Sequence, residues 1–342
     1  MESGVRSQGR IVYLDFVKGV TIFLVVFGHC IQYGNGQEFL RSGAFFDDIL
    51  FKIIYSFHMP LFEVVSGYLF FWSVSSRRAR EVITRQADSL ILPACVWPLV
   101  IVAARALFHV YRGKFGGISL FMLTAANEML YRFWFLWAMF FCSMIVLLAR
   151  EKFNDSMKFY AAVLVMLLFV PDCVIPAAHI FMYPYFVTGY LWHREGLDKI
   201  FTYRKSLTLG MVLLWMIMLL FFDRDSFIYT TGTAIVKYQQ RIFVPSQLGI
   251  DAFRWLIGFA GSAAVLLLLL RLVKPVQLFL LLGTKSLGIY IIHISLVSRV
   301  LPERGGYIMN FIEAVILIAI CYLLTVVISR SRVLNRFILG GR

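Results

Sequence analysis

Charged residues are scarce in this chain. Asp, Glu, Lys and Arg make up 15% of its 342 residues, against about 25% in typical soluble domains. Hydrophobic residues reach 60%, and the mean hydropathy is +0.80. Because a soluble fold of this length cannot bury so much apolar surface, the composition excludes an ordinary cytosolic enzyme, a nucleic-acid-binding domain and a disordered chain. It predicts a polytopic membrane protein.

Cysteine pairs and short catalytic motifs are also missing. The five cysteines lie in or beside apolar runs, and no two of them form a CxxC pair. They therefore predict buried free thiols, without a disulfide framework or a zinc site. The chain contains no glycine-rich phosphate loop, no HExxH and no GxSxG sequence, so none of the enzyme classes that those motifs mark is indicated.

Long apolar runs dominate the chain. A run of about 20 residues spans the hydrocarbon core of a bilayer as an α-helix. The sequence therefore predicts an all-α, polytopic integral membrane protein with about ten transmembrane helices, forming a single domain over residues 1–342. The apolar runs cover roughly 11–33, 51–73, 89–110, 132–149, 157–171, 174–192, 206–222, 251–271, 276–298 and 308–329.

The positive charge indicates an orientation. A net charge of +14 is found in proteins that bind nucleic acid and in membrane proteins whose cytoplasmic loops collect Lys and Arg. When the N-terminus is placed inside the cell, nearly all of the excess positive charge falls in the cytoplasmic segments. This distribution predicts that both the N- and the C-terminus are cytoplasmic, and it makes a nucleic-acid partner unnecessary.

The first predicted span carries three ionisable residues on one face. At 100° per residue, Asp15, Lys18 and His29 fall within about 60° of one another. Asp15 and Lys18 are three residues apart and can pair, while His29 lies roughly 16 Å further along the helix axis. The pattern is compatible with a snorkelling ion pair plus an interfacial histidine, but the shared face favours a reaction site inside the membrane.

The second predicted span combines a helix-kinking proline with polar residues. Pro60 leaves one carbonyl without its donor, and such freed backbone groups are tolerated at membrane depth where they face protein or a cavity. His58 precedes this kink and Ser66 follows it. Glu63 lies near the middle of the span, so it is either paired with a cation such as Lys285, protonated or catalytic.

The ninth predicted span stacks Ser286, Tyr290 and His293 on one face, because their spacings are four and three residues. With the N-terminus inside, His29, His58 and His293 all lie in the outer half of the membrane. Such histidines are suited to general-base work, although each one is also compatible with a hydrogen-bonded core position. Metal binding is not favoured, since no further ligand occurs at a recognisable spacing.

The loop after the second span is strongly basic. Its charge is explained by the excess of Lys and Arg in cytoplasmic loops, and it is also suited to binding the phosphates of a cytosolic ligand. The residues concerned are Arg77, Arg78, Arg80 and Arg85.

Two tryptophans, Trp134 and Trp137, stand at the start of the fourth span. They predict either an aromatic belt at the membrane interface or one wall of a cavity.

The ordered set of motifs resembles a known family. Lys18-x10-His29 resembles the Arg/Lys-x10-His signature of membrane acyltransferase family 3, bacterial enzymes that acylate surface polysaccharides and related glycans. Further stretches are similar to motifs of that family, and together they extend over roughly residues 10–300. These stretches are 57–62, 66–68, the arginines of the basic loop before Pro93, 134–137, 183–186 and 286–293.

The resemblance implies a donor, an acceptor and a location. Acyl-CoA, by default acetyl-CoA, would be a co-substrate from the cytoplasm, with no bound cofactor. Its phosphates would lie near the four loop arginines, its pantetheine arm beside Lys18 and its thioester near His29. A glycan or glycolipid would offer a hydroxyl from the outer side of the bilayer, and the protein would reside in the bacterial cytoplasmic membrane.

Roles for individual residues follow from the same resemblance. His29 would be the general base, and His58, Ser286, Tyr290 or His293 would orient the hydroxyl or stabilise the oxyanion. The full set of candidate catalytic residues is Asp15, Lys18, His29, His58, Glu63 and His293. The set expected to line or orient the cavity is Ser66, Trp134, Trp137, Ser286 and Tyr290.

The chain departs from the family pattern at two positions. Lys18 stands where many members have Arg, which keeps the charge but loses the bidentate fork, and Glu63 stands where an aromatic residue is usual. Two other functions remain open from the residues alone. Buried ionisable residues and a kinked helix also suit a transporter of a glycan or organic anion, and the chain could be a non-catalytic membrane partner in polysaccharide synthesis.

Overall fold

The protein is described here from a computed structural model, which covers residues 2–112, 117–196, 205–237, 242–272, 274–300 and 305–341. The α-helices in chain order are α1 (Glu2–Gly34), α2 (Gln37–Ser42), α3 (Ile49–Tyr55), α4 (His58–Ser75), α5 (Ala79–Gln86), α6 (Leu92–Tyr111), α7 (Ile118–Asn127), α8 (Trp134–Lys152), α9 (Met157–Phe169), α10 (Ala177–Arg194), α11 (Lys205–Leu219), α12 (Ile228–Thr231), α13 (Gln247–Leu272), α14 (Gln277–Thr284), α15 (Ser286–Val300), α16 (Tyr307–Ser329) and α17 (Arg332–Leu339). Short 3-10 turns cover Ala44–Asp47 and Arg224–Ser226, and π-helical turns cover Ala87–Ile91 and Glu128–Arg132.

Several helices have the length and the apolar composition of membrane spans. Within the described residues there are six such stretches, and the bent pair of α14 and α15 makes a seventh if it counts as one span. The prediction of a helical membrane protein is therefore confirmed. The six stretches are Val12–Gly34, Ile49–Ser75, Ala79–Tyr111, Trp134–Lys152, Gln247–Arg271 and Tyr307–Ser329.

The predicted count of ten spans is not confirmed. The run 157–171 gives α9, whose 13 residues reach about 20 Å and fall short of a hydrocarbon core of about 30 Å. The run 206–222 likewise gives a short apolar helix, Ser206–Leu219. The run 174–192 gives α10, in which Pro184 and several histidines and tyrosines interrupt the apolar sequence.

The predicted ninth span, 276–298, is broken rather than continuous. Its two halves, α14 and α15, meet at Lys285 with a bend of 79°. The break follows Gly283, which packs directly on the backbone of α1. The bend lets α14 lie along α1 while α15 turns into the bundle towards His29.

The described residues form an all-α fold with one small hairpin. Strand β1 (Val236–Lys237) pairs antiparallel with β2 (Ile242–Phe243), and Val236 lies opposite Phe243. The sequence did not predict this hairpin. Strands of two residues are too short to produce the alternating pattern by which a strand is predicted.

Two pairs of glycines bring the central helices into backbone contact. A Cβ on Gly19 of α1 would overlap the carbonyl of Phe279 in α14, and a Cβ on Gly283 of α14 would overlap the carbonyl of Asp15 in α1. Helices α4 and α10 are joined in the same reciprocal way through Gly67 and Gly189. Small residues of this kind allow close helix approach in membranes, and here they fix the separation of the helices that carry the polar residues.

Enlarging one of these glycines is expected to weaken the fold. In Gly67→Ala, the new methyl group would meet the Phe186 carbonyl, so α4 and α10 must separate, which costs about 1–3 kcal/mol by analogy with overpacked cores. Gly210→Ala on α11 is the matched control, because a Cβ there meets open space. Thermal unfolding in detergent should show a lowered Tm for Gly67→Ala alone. Equal Tm values for the two variants would contradict the packing account.

Candidate active site

A cavity of about 380 Å³, here called the histidine cavity, lies among α1, α3, α4, α8, α10, α12, α13 and α15. Aromatic and polar side chains form most of its wall. Among the described residues that line it, none is Asp or Glu. Its main polar lining consists of His29, Tyr55, His58, Arg132, Tyr229 and Tyr290.

The three histidines that were expected at one level do come together. The rings of His29 and His293 are 5.5 Å apart between centroids. Tyr55 joins His29 to His58, because its hydroxyl is 3.3 Å from His29 Nδ1 and its ring is 4.6 Å from the His58 ring. His29 is half-buried at the cavity wall, whereas His293 is fully buried behind it.

Hydrogen bonds orient each of these rings. His58 Nδ1 is 2.7 Å from the Ile54 carbonyl, and His293 Nδ1 is 3.1 Å from the Ile289 carbonyl. His29 Nδ1 is 3.2 Å from Gln32 Oε1. Since a backbone carbonyl can only accept, Nδ1 of His58 and of His293 carries the proton. The contact with Gln32 Oε1 favours the same tautomer for His29, with Nε2 as the acceptor of a neutral ring.

Metal binding was not favoured by the sequence. Within the described part of the chain, no group of three His, Cys, Asp or Glu side chains is placed to hold a metal ion.

A cation that sequence reasoning missed lies in the same wall. Arg132 donates a hydrogen bond of 2.9 Å to the Ile294 carbonyl, and its Nε is 2.6 Å from Glu128 Oε2. Glu128 also accepts from Arg105 on α6. An arginine at the start of an apolar span next to tryptophans is typical of an interfacial charge, so the pattern gave no signal for a cavity position.

Arg254 holds one side of the histidine cavity in place. Arg254 belongs to α13, and its side chain is buried. Its Nη1 is 3.2 Å from Asp251 Oδ1. The carbonyl groups of the 3-10 turn and of the segment around α12 accept hydrogen bonds from the guanidinium. These acceptors belong to Asp225, Ser226, Phe227 and Gly232. Because α12 carries Tyr229 into the cavity wall, the position of that tyrosine depends on Arg254.

A second cavity of about 420 Å³, here called the arginine cavity, lies at the other end of α1 and α4. Arg77 and Arg85 line it together with Lys18, whose Nζ is 2.7 Å from Asp15 Oδ1, as the three-residue spacing predicts. Ser66 and Ser286 lie in the same wall, and the Ser66 hydroxyl donates to the Phe62 carbonyl.

Three predicted residues are not where the sequence analysis expected them. Arg78 and Arg80 are exposed and do not line the arginine cavity. Arg78 stands at the N-cap position of α5 and Arg80 in its first turn, where both side chains face away from the cavity. Trp137 lines neither cavity; its indole donates to the Met129 carbonyl instead. Trp134, one turn earlier, does line the histidine cavity.

Glu63 is fully buried between α4 and α8 and lines neither cavity. Its carboxyl oxygens have no nitrogen or oxygen partner in the described part of the chain, so the expected pairing with Lys285 does not form there. The nearest polar group is the Cys142 thiol of α8. A role in contact with substrate, which the sequence left open, is therefore not supported by its position.

Tyr290 is the residue that the two cavities share. Its side chain lines both of them, although only 7% of the residue is exposed. The ring is 5.6 Å from that of Phe135 and 5.6 Å from that of His293. The basic end and the histidine end of the bundle therefore meet at one aromatic side chain.

The chain is similar to one protein family and to two individual proteins. The family described as an acyltransferase domain matches residues 11–330. The chain is 30% identical to the nodulation protein NolL of Sinorhizobium fredii over 278 residues, which cover 77% of this chain and 69% of that protein. It is also 30% identical to the nodulation protein NolL of Mesorhizobium japonicum over 188 residues, 54% of this chain and 48% of that protein. No solved structure matches the chain significantly.

The match to the family extends over nearly the whole length of the chain, and it includes the helices that form both cavities. It favours acyl transfer over the transport function that the polar residues alone left open. The chain belongs to acyltransferase family 3 and is a multi-pass membrane acyltransferase.

Proposed function

We propose that this membrane acyltransferase moves an acyl group, acetyl by default, from cytosolic acyl-CoA to a hydroxyl of an exported or membrane-linked glycan. The proposal places it in the bacterial cytoplasmic membrane. The observation that carries it is the meeting of the arginine cavity and the histidine cavity at Tyr290. A donor entering from one side and an acceptor entering from the other would reach each other only there.

The arginine cavity suits the donor. CoA carries phosphate groups, and guanidinium groups match phosphate in both charge and geometry. Arg77 and Arg85 lie at the cavity, and Lys18 lies deeper in the same wall. The pantetheine arm would run past Ser66 and Ser286, with the thioester carbonyl held near Tyr290.

The histidine cavity suits a polyhydroxylated acceptor. Its lining combines tyrosine rings with hydroxyl and imidazole groups and carries no carboxylate among the described residues. Aromatic faces with polar rims can contact the apolar face of a sugar ring while they hydrogen-bond its hydroxyls.

The reaction is a direct transfer. His29 Nε2 removes the proton of the acceptor hydroxyl as its oxygen bonds to the thioester carbon. The C–S bond then breaks, and the CoA thiolate takes up the proton from His29, so the products are the ester and free CoA. The Tyr290 hydroxyl and Arg132 are the groups best placed to stabilise the oxyanion between these steps.

Removing the base should abolish transfer. We expect His29→Ala to lower the rate by a factor of about 10²–10⁴, the usual contribution of a general base. The measurement is transfer of label from radioactive acetyl-CoA to glycan in membrane vesicles. His109→Ala is the matched control, because His109 is exposed at the end of α6, remote from both cavities. Wild-type transfer by His29→Ala would exclude the proposed role.

The donor site can be tested by comparing arginines that line the arginine cavity with neighbouring arginines that do not. Acetyl-CoA that binds only the folded protein should raise its unfolding free energy by about 2.7 kcal/mol at 100 times the dissociation constant. We expect Arg77→Ala and Arg85→Ala to reduce the resulting Tm shift. Arg78→Ala and Arg80→Ala remove the same charge from the same loop outside the cavity and should retain the shift. Equal losses in all four variants would indicate an unspecific charge effect and contradict the proposed site.

A further inference from the structure

Aromatic rings stand where the two cavities meet. Phe62, Phe135 and Tyr290 lie in contact there and are called the aromatic partition. The Phe62 and Phe135 rings are 5.6 Å apart with an angle of 89° between their planes, and Phe135 and Tyr290 are also 5.6 Å apart. All three side chains line the arginine cavity, and Phe135 is only 2% exposed.

The partition is built from three different helices. Phe62 comes from α4, Phe135 from the first turn of α8 and Tyr290 from α15. The contact between the Phe135 and Tyr290 rings links α8 to α15 at this point. Closely packed side chains from three helices are held in place by the fold, so the fold sets the shape of this end of the arginine cavity.

The proposed reaction brings the acyl group against these rings. The CoA sulfur arrives through the arginine cavity, while the attacking hydroxyl comes from the histidine cavity. The thioester carbon must therefore lie at the partition, and the remainder of the acyl chain must fit beside it. Each additional methylene then competes for space with a buried ring.

We infer that the aromatic partition sets the length of the acyl group, and that Phe135 is its specificity-determining residue. The acetyl group is accepted, and each further methylene weakens binding because it meets the Phe135 ring. The inference rests on the proposed function, because it assumes that acyl-CoA occupies the arginine cavity. One methylene too many at a closely packed site is worth about 10- to 200-fold in discrimination.

The test measures binding and does not require the acceptor. The purified full-length protein is titrated by calorimetry with CoA, acetyl-CoA, propionyl-CoA, butyryl-CoA and hexanoyl-CoA. We expect the wild type to bind butyryl-CoA at least about tenfold more weakly than acetyl-CoA. Phe135→Ala removes the ring and leaves the other two rings of the partition in place, so this ratio should fall by about tenfold or more.

Phe140→Ala is the matched control. Phe140 lies on the same helix, about 140° around its axis from Phe135, and lines neither cavity. The same truncation there should leave the ratio of the two dissociation constants unchanged. Should Phe135→Ala fail to fold, Phe135→Leu removes less volume and is expected to shift the ratio in the same direction by a smaller factor.

The outcomes separate this inference from the function on which it rests. Equal affinity of the wild type for acetyl-CoA and hexanoyl-CoA would overturn the inference while leaving the donor site intact. Equal changes of the ratio in Phe135→Ala and Phe140→Ala would do the same. Absence of binding by every CoA species to folded wild-type protein would overturn the proposed donor, and the inference would fail with it.

Discussion

Backbone contact between α1 and α14 determines where the reactive groups stand. Gly19 and Gly283 allow the two helices to touch, and the chain then turns by 79° at Lys285 before α15 enters the bundle. That turn brings the His293 ring next to the His29 ring and places Tyr290 where the two cavities meet. A straight helix through the same residues could not lie along α1 and also enter the bundle in this way, so the geometry of the site follows from the glycines.

Much of the site could be predicted from helical periodicity and membrane depth. Both quantities are local, because the position of a residue along a span fixes its level and its face. They predicted that Asp15 and Lys18 can pair, as they do, and that His29, His58 and His293 lie at one level; the structure also brings these three rings together. The transmembrane helical character followed from hydropathy in the same way.

The remaining features depend on contacts between elements that are distant in sequence. The direction of Arg78 and Arg80 is set by the start of α5, and the burial of Glu63 is set by the face of α4 that meets α8. Arg132 was missed because its environment includes the carbonyl of Ile294, 162 residues away. The break at Lys285 was missed because apolar residues dominate on both sides of it, and hydropathy does not register a change of direction.

Arg254 gives the histidine cavity a preorganised wall. Its buried guanidinium donates hydrogen bonds to the carbonyl groups of the segment that carries Tyr229. This segment is therefore ordered as part of folding. A molecule that enters the cavity therefore has no loop to immobilise there, and its association avoids the conformational entropy that closure of a mobile lid would cost. Successive turnovers likewise need no opening step at this wall before product can leave, in contrast to enzymes whose rate is limited by lid motion.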